Sequence, residues 1–156
     1  MKKKLIASVL IILTFWGLMN FLNVFQNNKT SSCINLYVDF NKLLDQTKIS
    51  KCIPENDKTV AIKLIKDANL MVEGTQTYGL SVICRVQNLP GPMDEKCLKM
   101  PPENAYWAIL VKSKGNIADP FPKWGWAKTG ASEVYLYPGD SLGLVFVTDG
   151  KVNWPN

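Results

Sequence analysis

Between Lys4 and Lys29 the chain carries no charged side chain. As a helix rising about 1.5 Å per residue, the stretch from Leu5 to Phe25 would span roughly 30 Å, the thickness of a bilayer's hydrocarbon core. Lys2, Lys3 and Lys4 precede it, and such a basic cluster holds the short N-terminus in the cytoplasm. The spacing therefore predicts four parts: a cytoplasmic segment 1–4, a transmembrane signal-anchor 5–25, a linker 26–32 and an extracytoplasmic domain 33–156. Three readings of the apolar run stand side by side. A cleavable signal peptide wants small residues soon after a short apolar core, and here Thr30 and Ser32 come late, after bulky Val24 and Phe25. A lipoprotein would want an apolar residue three positions before Cys33, where Thr30 stands. The uncleaved single-pass anchor is the expectation and secretion after cleavage its alternative. All three readings place the C-terminal domain in the same compartment.

That address decides how the cysteines are read. Cys33, Cys52, Cys84 and Cys97 all follow the apolar run, no Cys-x-x-Cys occurs, and the chain has no histidine. A zinc site would need four scattered thiolates, and the redox motif is missing. Two structural disulfides are expected in an oxidising compartment. Ile34–Phe40 and Ile49–Ile53 have strand character; folded as a hairpin about Leu43-Leu44, they bring Cys33 to Cys52. Cys84 and Cys97 flank the turn-rich Leu89-Pro90-Gly91-Pro92 and form the second pair.

The excess of positive charge does not signal nucleic acid. Of 18 basic residues three are Lys2 to Lys4, so 15 face 13 acidic ones in the rest of the chain. Arg85 is the only arginine, whereas phosphate recognition favours the guanidinium fork.

Further along, Thr59 or Asp57 is expected to cap a helix from about Val60 to Leu70. Its apolar face is Val60, Ala61, Leu64, Ile65 and Ala68, with Lys63, Lys66 and Asp67 pointing away. Met71 to Tyr78 reads as a polar connection. Leu80–Val86, Ala105–Val111, Ser132–Tyr137 and Ser141–Thr148 read as strands, and Pro138-Gly139-Asp140 as a turn in which Asp140 satisfies local backbone donors. One helix against a mixed or antiparallel sheet is an α+β layer.

Several short motifs sharpen that expectation: Ile83-Cys84-Arg85, Pro90-Gly91-Pro92, Cys97, Pro101-Pro102, Tyr106-Trp107, Trp126, Gly130-Ala131 and Pro138-Gly139-Asp140. From about Tyr37 to Phe146 the arrangement resembles a β-grasp family related to the C-terminal domain of transcobalamin and intrinsic factor. It is closer still to secreted actinobacterial proteins of unknown function. The resemblance implies a β-grasp-like domain. It implies a corrinoid only where a helical domain completes the site; none lies in these residues, and no cofactor is expected.

Without histidine, the usual general base and metal ligand are missing. No Ser-x-x-Lys, nucleophile elbow, paired carboxylates or glycine-rich phosphate loop is recognisable. The reading is a non-catalytic domain that binds a small molecule or envelope component, with a structural or protein-interaction module of the envelope as its rival and an enzyme as a distant third. The pointer to a site is aromatic. Trp107 is expected in the core, whereas Trp124 and Trp126 flank Gly125 in a loop with Pro120 and Pro122, on one face if the segment is extended. They are the candidate ligand-binding residues.

Overall fold

A computed structural model describes residues 33–45, 47–113 and 123–155, which belong to one compact unit. The predicted anchor and linker lie outside the described residues. No helix among the described residues is long and apolar enough to cross a membrane.

The domain is a mixed α+β structure, and its frame is set by the longest apolar strand. The segment Ser141–Thr148 is buried at every position but its two ends, so it needs cover on both faces. It obtains that as the middle strand of a five-stranded sheet. In chain order the strands are β1 (Cys33–Asp39), β2 (Lys48–Pro54), β3 (Thr59–Val60), β4 (Val72–Thr75), β5 (Gly79–Val86), β6 (Ala105–Lys112), β7 (Gly125–Trp126), β8 (Tyr135–Leu136) and β9 (Ser141–Thr148). The large sheet has the order β2-β1-β9-β6-β7. β1 runs parallel to β9, with Leu36 opposite Leu142 and Val38 opposite Leu144; β6 runs antiparallel to β9 along its whole length, from Ala105 opposite Thr148 to Lys112 opposite Ser141.

Strand alternation divides the residues between two faces. Ile34, Leu36, Val38, Trp107, Val111, Leu142, Leu144 and Phe146 form the main core with Ala61, Leu64 and Ile65 of the helix α1 (Ala61–Asp67) and Ala68 just after it. Trp107 is in the core as expected, edge-on to Phe40 and Phe146 at 5.4 Å between ring centroids. The other face carries Ala108, Leu110, Val145 and Val147 under Tyr37, Tyr106, Trp124 and Val152.

Both expected disulfides are present, Cys33–Cys52 and Cys84–Cys97, with Cα separations of 5.4 and 5.7 Å that suit the bond. The β1–β2 connection is a 3-10 turn, Asn41–Leu44. Asn41 anchors it to β9, donating from Nδ2 to the Phe146 carbonyl and Thr148 Oγ1, both at 3.1 Å. Asp140 plays the turn role predicted for it: its Oδ2 accepts the Tyr137 N–H at 2.8 Å.

Three expectations need correction. The helix is shorter than predicted and has no side-chain cap; Val60 is the capping position, and Thr59 is a buried strand residue paired with Leu136. Val72–Thr75 is not a polar connection but a bulged strand paired with β5, and its irregular register hides the usual alternation. In it Gly74 is obligatory, since a Cβ there would lie 2.1 Å from the Gly79 carbonyl oxygen. The strand expected at Ser132–Tyr137 shrinks to Tyr135–Leu136.

The single arginine is structural. Arg85 is 7% exposed and donates to the carbonyls of Pro90 (Nε, 3.0 Å) and Glu95, and to the Glu73 carboxylate. Together with the neighbouring Cys84–Cys97 bond it straps the 90–97 loop onto the β4–β5 hairpin. Arg85→Met is expected to cost about 2–4 kcal/mol in urea unfolding with disulfides intact, because two carbonyls lose a charged donor. A loss under about 1 kcal/mol would mean that the disulfide alone holds the loop. Peptide mapping without reductant should recover the Cys33–Cys52 and Cys84–Cys97 pairs, and a Cys33–Cys84 peptide would contradict the register of the first hairpin.

Candidate functional site

Where β6 outruns β7, its edge opens. β7 has only two residues, set opposite Leu110 and Val111. The chain then donates once more, from Ala127 N–H to the Ile109 carbonyl at 2.9 Å, and leaves the sheet. It crosses to β5, where Ala131 N–H meets the Ser81 carbonyl at 3.3 Å. The crossing is possible because residue 130 is glycine: a Cβ there would stand 2.3 Å from the Ser81 oxygen. At the other end the chain from the second disulfide enters β6 through Met100, Pro101 and Glu103. Between β5 and β6, closed at one end by the crossing and at the other by this entry, lies a groove of about 530 Å³. That volume falls in the range of small-molecule sites, roughly 300–1,000 Å³.

Its lining combines aromatic, apolar and polar groups. Tyr106 and Trp126 present rings 6.5 Å apart at an interplanar angle of 25°. Ser81, Thr129 and Glu103 supply the polar side chains. The backbone adds to them. Because Ile109 turns its carbonyl toward β7, alternation turns the Trp107 N–H and C=O to the same side, and Trp107 has no backbone partner there among the described residues. A ligand in the groove would meet an unpaired donor and acceptor beside two aromatic rings.

The two tryptophans singled out from the sequence share the sheet face that α1 does not cover, but they do different things. Trp126 is not in a loop, as expected, but in β7; it is 45% exposed, lines the groove and meets Trp154 edge-on at 5.9 Å. Trp124 is half-buried and lies outside the groove. It packs over the sheet beside Tyr37, 6.5 Å between ring centroids, in a space left by Gly143, where a Cβ would be 3.2 Å from the indole ring. Its Nε1 is buried without a hydrogen-bond partner. Trp124 also lines a smaller cavity of about 270 Å³ with Asn35, Lys112 and Pro155. Beneath it the Tyr37 hydroxyl approaches Asp39 at 3.5 Å. The Lys48 ammonium is held above the usual lysine range by its hydrogen bond to Tyr37 first and the Asp39 charge second. Pro120 and Pro122 lie outside the described residues.

The four cysteines are structural here. Cys84 and Cys97 come close to Glu95, a set that could suggest a metal, but both sulfurs are committed to one disulfide and offer no thiolates. Tyr106 and Glu103 were not recognised from the sequence as site residues. Tyr106 had a signal: adjacent to core Trp107 in a strand, it must face the other way. Glu103 had none, because its place at the groove depends on the approach of β5.

Replacement of the two tryptophans should separate their roles. Trp124→Ala is expected to cost about 2–3 kcal/mol, somewhat below a fully buried tryptophan, and Trp126→Ala under about 1 kcal/mol. Equal losses in urea unfolding would contradict this division. No protein-family model, no curated protein and no solved structure matches this chain.

Proposed function

We propose that the chain is a membrane-anchored, extracytoplasmic binding protein whose β5–β6 groove holds a small molecule without transforming it. The observation that carries this reading is the groove, of ligand size, with Tyr106 and Trp126 beside the open Trp107 backbone. Pairing of all four cysteines favours an oxidising compartment, in keeping with the basic and apolar N-terminal segment. Glu103 is the lone carboxylate of the lining, which leaves an acid–base pair unformed there and favours binding over catalysis. The fold belongs to the same proposal. A first hairpin followed by a helix, with the first and last strands adjacent and parallel in the centre of the sheet, supports a β-grasp-like domain.

The rival is a module for an envelope protein. It draws support from the same open edge, since an extended segment of another chain could continue the line of β7 along Tyr106–Ala108, beside exposed Trp126 and Trp154.

A thermal-unfolding assay of the full chain with size-fractionated envelope extract separates the two. A low-molecular-weight ligand at 100 times its Kd adds about 2.7 kcal/mol of stability. The expected outcome is a rise of several degrees with the small-molecule fraction that is lost in Trp126→Ala. Stabilisation confined to the macromolecular fraction would favour the rival, and stabilisation equal in Trp126→Ala would remove the groove as the site.

A further inference from the structure

The charge of the groove narrows what it can hold. Its lining contains one charged side chain, Glu103, and no lysine or arginine, although the chain as a whole has 18 basic residues against 13 acidic. Five carboxylates of the domain are ion-paired, Glu73 with Arg85, Asp67 and Glu55 with Lys63, Asp39 with Lys48, and Asp149 with Lys42, but none of these lines the groove. Glu103 has no ion pair or hydrogen bond among the described residues. The same lining holds the rings of Tyr106 and Trp126 and the polarisable thioether of Met100. Lys99 and Lys128, adjacent in sequence to lining residues, are exposed and do not line the groove.

These groups have one preference in common. An unpaired carboxylate attracts a cation, and a tryptophan or tyrosine face attracts a cation through the ring quadrupole, about 0.5–1 kcal/mol when exposed and about 2 or more when desolvated. Low-dielectric walls carrying one sign of charge focus the field on the space between them. An anion would be repelled by Glu103, and a neutral apolar molecule would gain nothing from its charge. On the reading that the groove is the binding site, we propose that its ligand is a small organic cation. The ammonium group sits between Glu103 and the two rings, and an apolar body lies along Met100 and Ala108. An alkyl-substituted ammonium suits this better than a metal ion, because its nitrogen-bound alkyl groups carry the positive charge onto aromatic rings while a hard cation keeps its water.

Choline and its neutral isostere 3,3-dimethylbutan-1-ol test this on the full chain in a non-ionic maltoside detergent, with the Trp126 indole N–H followed by NMR. Choline is expected to shift the Trp126 signal saturably, and the isostere to bind at least about tenfold more weakly. Glu103→Gln should remove most of that difference; Glu103 is exposed and unpaired among the described residues, so the variant should fold as the parent does. An isostere that binds as tightly as choline, in an interaction abolished by Trp126→Ala, would overturn the cation and leave the groove as a binding site. If neither probe shifts Trp126 and the Trp126→Ala variant keeps its response to the small-molecule fraction, both the cation and the groove are overturned.

Discussion

The pairing of β9 with β1 on one side and β6 on the other is the constraint from which the other features follow. β9 is too apolar to lie at an edge or to face water, and its parallel pairing with β1 cannot be made by a tight turn. The intervening chain must therefore leave the sheet and return, and it does so through α1, the β4–β5 hairpin and β6. Asn41 reinforces the arrangement by fastening the first hairpin to the end of β9. Each of these contacts joins residues distant in sequence, so the sheet forms as a unit.

The groove is a consequence of that frame combined with a short strand. β6 is held along all eight residues by β9, yet on its outer side β7 covers only two positions. A longer β7 would have continued the sheet and filled the space. Instead Gly130 allows the chain to press against Ser81 and tie β5 in place, at a distance that leaves room for a ligand. Arg85 and the Cys84–Cys97 bond hold the opposite end of that wall. Open backbone of this kind is a hazard in a sheet edge, because it invites pairing with another chain. Enclosure by the two crossings restricts what can approach, and this is compatible with a use for the opening.

Much of the frame was legible in the sequence. Ser141–Thr148 was read with its observed bounds because a bulk apolar run between a Pro-Gly-Asp turn and a polar end has few other solutions. The Cys33–Cys52 pairing followed from hairpin geometry, Cys84–Cys97 from the turn-rich loop between them, and Trp107 from its place in a strand. What remained hidden was set by contacts between distant segments. β4 is short, bulged and polar, so Val72-Glu73-Gly74-Thr75 carries no period to recognise. β7 exists because β6 offers it a partner, not because Gly125-Trp126 prefers extension. Alternation placed Trp124 and Trp126 on one face, but it could not tell that Gly143 makes room for one ring while the other stays exposed beside Tyr106.

The central claim is that β6 is paired on one side and open on the other along the groove, and amide hydrogen exchange reads this residue by residue. Ala108 and Trp107 are neighbours in the same buried strand, but alternation sends the Ala108 N–H toward β9 and the Trp107 N–H into the groove. Exchange at Ala108 should be slow, close to the limit set by global unfolding, and exchange at Trp107 faster by orders of magnitude. Equal, strong protection at both amides would mean that the β6 edge is already closed, and the binding groove would have to be abandoned.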